Sequence, residues 1–184
     1  MRSRQSSANC DLGFELIIDR TWDGEAVDPA DRGRVRLSRL DDSFLVTIDA
    51  GFADDPPPTG LPGATESLWE HEVVELFVAN VETGPARYTE IELSPHGHHL
   101  ILQFDGIRHR TAALEPTWVE TSIHGSRWRG SLELELSHLP SLPWRANAFA
   151  IHGRGAARRY LAAAATPGAT PDFHQPLLFP KVEL

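Results

Sequence analysis

Three histidines fall within four positions in "SPHGHH" (residues 94–99): His96, His98 and His99. Imidazole is a common zinc ligand, so His96 and His99 are candidate metal ligands. A zinc site needs four ligands, or three and a water. The remainder would have to come from Glu92, His71, His152 or His174. The same stretch also reads as a turn, because Pro95 fixes one φ and Gly97 can take a positive φ where the chain reverses. His98 and His99 open the next strand pattern and point to opposite faces, so at most two of the three imidazoles easily meet at one ion. The turn is the simpler reading.

A second constellation is carboxylic. In "LWEHEVVELFVAN" (68–80) and "RYTEIELS" (87–94), period-two alternation puts Glu75, Glu90 and Glu92 on one side of adjacent strands, with Glu72 at the strand entry. Convergent carboxylates could hold calcium or another divalent metal through hard oxygen ligands. Two at a suitable separation could act as a glycosidase acid and base. The plainer alternative is a solvated sheet face whose glutamates pair with nearby arginines.

Five tryptophans are a high count for 184 residues. Their faces can stack on sugar rings, and Trp69, which follows a proline-rich stretch, is the best placed to do so. Trp128, beside "LELEL", reads as a packing residue. Arg154, Arg158 and Arg159 in "HGRGAARR" could contact an anion or pair with glutamates; the spacing is not that of a phosphate loop. No G-x-S-x-G or H-E-x-x-H occurs.

The elements that must position these residues are strands. Alternating segments recur at 14–22, 34–40, 43–52, 72–80, 87–94, 98–105, 117–125, 127–137, 147–153 and 158–165, with no long amphipathic helix. "LELEL" (132–136) shows the pattern: Leu132, Leu134 and Leu136 face a core while Glu133 and Glu135 face water. Such a series indicates an all-β fold, a single-domain antiparallel β-sandwich of jelly-roll type over residues 11–184, with residues 1–10 as a disordered N-terminus. Two long loops, 51–67 with Pro56, Pro57, Pro58 and Pro62, and 165–176, are candidate carriers of binding residues.

Formal net charge is −9, which argues against nucleic acid and anionic membranes as partners. Cys10 is the sole cysteine, so neither an internal disulfide nor a cysteine-based zinc cluster is expected. "MRSRQSSANC" has no apolar segment after its basic residues, and no run is long enough to span a membrane, so a cytoplasmic location is expected.

"LWEHEVVELFVAN", "RYTEIELSPHGHHLILQFDG", "WRGSLELELSHL", "ANAFAIHG" and "PDFHQPLLF" follow one another in an order that resembles the DOMON-like sandwich of family 9 carbohydrate-binding modules. "DDPPPTGLPG", "LWEHEVVELF", "SPHGHHL", "FAIHG" and "PDFH" resemble, over most of the chain, an uncharacterised family of the same fold with no established activity to transfer. The sugar-binding resemblance implies a sandwich that holds a sugar end between tryptophans, with structural calcium ions. The expectation is a non-catalytic binding module for a small polar ligand, carbohydrate being the leading class, with Trp69, Glu72, Glu75, Glu90, Glu92, His152 and His174 as ligand-binding candidates. The alternatives are an interaction domain, as a homodimer through an open sheet edge, and a metal-assisted hydrolase or isomerase.

Overall fold

The structure, a computed structural model, describes residues 13–166 and 168–183. The expected disordered N-terminus lies outside the described residues. Twelve strands follow in order among those described: β1 (Gly13–Ile18), β2 (Arg20–Thr21), β3 (Gly33–Arg39), β4 (Ser43–Gly51), β5 (Val73–Asn80), β6 (Arg87–Leu93), β7 (His99–Asp105), β8 (Arg110–Leu114), β9 (Trp118–His124), β10 (Arg127–Glu135), β11 (Arg145–His152) and β12 (Arg159–Ala162). They form two antiparallel sheets, a five-stranded one ordered β1-β3-β4-β10-β9 and a seven-stranded one ordered β2-β12-β11-β5-β6-β7-β8. The all-β sandwich is the fold the sequence indicates. The helices among the described residues are single 3-10 turns, and none is long and apolar enough to cross a membrane.

Two strands depart from the sequence pattern. The stretch 14–22 is not one strand: the chain leaves the five-stranded sheet after Ile18 and joins the other as β2. Alternation reports which side a residue faces, not which sheet it belongs to. β8, "RTAAL", lacks the run of bulky apolar residues that marks a strand, and it pairs with β7 alone, at the sheet edge, across an irregularity at Gln103/Phe104.

The main core lies between the sheets. Val35, Leu37, Val46, Ile48, Leu132 and Leu134 from one sheet meet Val74, Leu76, Val78, Ile91, Leu93 and Ile101 from the other. Trp128 is buried here, as its place beside "LELEL" suggests. Gly130 lets the sheets approach, since a Cβ there would stand 2.6 Å from Leu93 Cδ2 and 2.7 Å from Trp128 Cζ3.

A second apolar cluster lies on the outer face of the seven-stranded sheet. Phe77, Tyr88, Leu100, Leu102, Phe104, Phe149 and Ile151 are covered by Leu68 from the loop before β5 and by Phe173 and Phe179 from the segment after β12. Phe173 stacks on Phe149 with ring centroids 3.9 Å apart and planes at 6°. This cover corrects the solvated-face reading of the glutamates. Glu75, Glu90 and Glu92 do face away from the inter-sheet core, as alternation says, yet they are 2%, 3% and 0% exposed.

Candidate functional site

The cover is incomplete. Between the loop before β5, the β11–β12 loop and the C-terminal segment, the outer face of the seven-stranded sheet carries a cleft of about 830 Å³. Its floor is Glu75 of β5, Glu90 of β6, and Leu102 and Phe104 of β7. Trp69 and Glu70 form one wall, Arg154, Arg158 and Tyr160 another, and Arg108 with Pro171 to His174 a third. Four arginines, four acidic residues and His174 share the lining with apolar and aromatic side chains, a mixture that suits a polar small molecule.

Local sequence explains how each wall is held. In the 3-10 turn Leu68–Glu70, Leu68 is fully buried as an anchor while Trp69 stays 41% exposed at the rim. The Arg158 guanidinium donates to the carbonyls of Trp69, Glu70 and Gly153, tying the β11–β12 loop to that turn. Glu72 accepts from the amides of Ala53 and Asp55 at 2.8 and 3.1 Å, and Asp55 accepts from the Gly153 amide at 2.6 Å. The proline-rich loop is thereby fastened to both neighbours. On the opposite wall Arg108 has a left-handed backbone (φ 59°). Its amide donates to Tyr88 Oη at 2.9 Å and its guanidinium to Asp172 at 2.7 Å.

Tyr88 Oη also lies 2.8 Å from His174 Nδ1. One of the two donates the proton they share, and which of them does so depends on the imidazole tautomer. Burial, with Arg108 adding to it, pushes His174 down to about 4, so the ring is neutral at pH 7. Its Nε2 stands 3.9 Å from Glu90 Oε2. Burial pushes Tyr88 up to about 12.

The floor is electrostatically unusual. One oxygen from each of Glu75, Glu90 and Glu92 lies within 4.8 Å of the others. Burial pushes Glu90 up to about 8, opposed by Arg108 and Arg110. Glu75 is raised by burial and then by Glu90, and Glu92 by burial and then by Glu75 and Glu90. The nearby arginines are engaged elsewhere: Arg110 with Glu66 at 2.7 and 3.0 Å, Arg108 with Asp172. Pairing with arginines, the plainer expectation for these glutamates, is not what the chain does. Glu92 sits below the floor, and neither of its oxygens has a hydrogen-bond partner.

Sequence comparison places the chain. It is 36% identical to the UPF0462 protein C4orf33 homolog of Danio rerio over 170 residues, covering 88% of this chain and 85% of that protein. It is 38% identical to UPF0462 protein C4orf33 of Homo sapiens over 171 residues, covering 88% and 83%.

The chain belongs to the UPF0462 family.

No family model matches the chain. Among solved structures, this UPF0462 fold resembles a candidate carbohydrate-binding protein from Bacteroides uniformis, with a TM-score of 0.69 at 15% identity over 91% of this chain and 84% of that one. It also resembles a family 9 carbohydrate-binding module from Caldicellulosiruptor kristjanssonii solved with cellotriose, with a TM-score of 0.50 at 10% identity over 82% and 72%. The sandwich of family 9 modules, suggested by the sequence, is the fold of this UPF0462 chain.

The UPF0462 structure divides the sequence-derived candidates into three groups. Trp69, Glu75, Glu90 and His174 share the cleft, with Glu92 beneath. Glu72 and His152 line a separate pocket of about 140 Å³, where Glu72 is occupied with loop amides and burial holds His152 below the usual imidazole range. The "SPHGHH" residues form the turn, closed by Ser94 N to His98 O at 2.9 Å and with Gly97 at φ 84°. Its imidazoles go to three places. His96 packs against Phe52 at 5.9 Å, His98 Nδ1 meets Thr65 Oγ1 at 2.8 Å, and His99 Nε2 meets Glu115 at 3.2 Å. Neither His96 nor His99 joins a three-donor group; among the described residues that group is the glutamates alone. Arg108, Tyr160 and Asp172 line the cleft without having been singled out in the sequence. Asp172, in "PDFH", is the partner that holds Arg108 in the cleft, and nothing local in the sequence pairs the two.

Proposed function

We propose that this chain is a non-catalytic binding module for a small polar ligand and that a carbohydrate is the ligand class. One observation carries the reading: the large cleft in the sheet face has an exposed indole at its rim and polar groups on an otherwise apolar floor. A sugar presents both surfaces such a site needs. Its C–H face stacks on Trp69, and its hydroxyls hydrogen-bond to Glu75, Glu90 and the rim arginines. The likeness in fold to sugar-binding modules supports the class without identifying the sugar.

The test is a thermal-shift and calorimetric screen of the full chain against soluble mono- and oligosaccharides. At about a hundred times Kd, a true ligand adds roughly 2.7 kcal/mol of stability. Trp69→Ala should abolish that shift while the ligand-free melting temperature moves by no more than about 2 °C, because the side chain is at the rim. A panel without any binder would remove the carbohydrate reading, as would a binder that Trp69→Ala holds equally well.

A further inference from the structure

We infer that Glu75, Glu90 and Glu92 form a binding site for a hard divalent cation at the bottom of the cleft. The inference starts from Glu92. Its side chain is fully buried, aimed at the other two carboxyls, and both oxygens lack any hydrogen-bond partner. An ionised carboxylate in that position has no donor to stabilise it. A protonated one finds only the other two carboxyls as partners, so the protons must be shared among three buried acids and no donor from elsewhere in the chain reaches Glu92. A cation bound among the three would supply the missing partner.

Geometry allows it. When three points all lie within 4.8 Å of one another, some point lies within about 2.8 Å of each, close to the ~2.3–2.6 Å of calcium–oxygen bonds. A shift of a few tenths of an ångström in glutamate side chains closes the remainder. The three residues sit on two paired central strands, with Glu75 opposite Glu92 in the β5–β6 register, so the backbone holds the triangle. Glu75 and Glu90 open onto the cleft, which gives the ion an entry path and leaves coordination positions facing a ligand.

The donor set chooses the kind of ion. All three donors are carboxylate oxygens, which favour calcium, manganese or magnesium over zinc. His174 does not change this. Its Nδ1 is engaged by Tyr88, and among the described residues the group of converging donors is the three glutamates without it. Among the described residues no lysine or arginine forms an ion pair with the three glutamates, and Arg108, Arg110 and Arg158 act on them only from a distance.

The site stands apart from the carbohydrate reading, since ion uptake is measured with no sugar present. The full chain, stripped with chelator, is titrated calorimetrically with CaCl₂ and separately with MnCl₂. One ion per chain is expected, with a Kd at or below about 1 mM, the weak end for calcium modules. Glu92→Gln, which keeps the shape and removes the charge, should weaken uptake by at least about tenfold. Glu75→Gln serves the same purpose should the first variant fail to fold. Glu133→Gln, on the far face of the other sheet, should bind as the parent does. Absence of heat and of any melting shift with both ions at about 5 mM would overturn the site, since even weak calcium modules saturate there. Parent-like affinity in folded Glu92→Gln would overturn it too.

Discussion

Two strand pairs of this molecule carry nearly the same alternation and end in opposite environments. In β10, Glu133 and Glu135 alternate with Leu132 and Leu134, and the outer face of that sheet meets water. Its charges are matched in the ordinary way: Asp49 with Arg127 and Arg129, Glu133 with Ser43. In β6, Glu90 and Glu92 alternate with Ile91 and Leu93, but their face is closed by Leu68, Phe173 and Phe179. Alternation therefore decides the side of a sheet a residue faces. Whether that side is wet depends on segments far away in the chain. The cost of burying carboxyls without partners is the reason we propose the second face, not the first, as the place for a ligand.

The largest expected effect comes from breaking the cover. Phe149→Ala removes the ring on which Phe173 stacks and should destabilise the protein by about 3–5 kcal/mol. Chemical denaturation would show it as a lowered midpoint. A change under about 1 kcal/mol would mean the C-terminal segment does not pack on this sheet as described.

Next is the response of the metal-free protein to pH. Glu75, Glu90 and Glu92 have folded-state values raised above their unfolded ones, so the folded chain holds protons the unfolded chain has released. Their contribution is fully present below about pH 4.5 and is lost as pH rises through the folded values, about 8 for Glu90. In chelator, the melting temperature should fall from pH 6 to pH 9, and saturating calcium should flatten that fall. A metal-free melting temperature that rises over this range would put the three carboxyls in water.

Glu92→Met sharpens the same contrast. Replacing an unpartnered buried carboxyl with an apolar chain of similar volume should stabilise the metal-free protein by about 1–3 kcal/mol while abolishing ion uptake. The smallest effect belongs to the other face. Asp49→Asn removes a partly exposed ion pair, and its cost should stay below about 1 kcal/mol in a denaturation curve.

The sandwich itself was legible because its signals are local. Leu132/Leu134 and Ile91/Leu93 announce inward faces by period alone, and Pro95 with Gly97 announces a turn. What was not legible depends on long-range placement. The change of sheet after Ile18 leaves the side-chain period intact, and β8 has too few bulky residues to register. The site was half visible. Glu75, Glu90 and Glu92 stand on one face by alternation, and Trp69 stands out as an aromatic after a proline-rich loop. Arg108 enters the cleft only because a left-handed turn aims it at Asp172, sixty-four residues on. The histidines of "SPHGHH" show the converse: they are neighbours in sequence and in space, yet each takes a different partner and no three donors meet.

The most direct measurement is an amide NMR spectrum of the full chain, isotopically labelled and stripped of metal, titrated with substoichiometric Mn²⁺. Paramagnetic broadening should be centred on residues 75, 90 and 92 and fade toward the five-stranded sheet. Broadening centred on Asp49, on the 94–99 turn, or nowhere would mean that the buried carboxyls of the covered face do not serve a ligand of this kind.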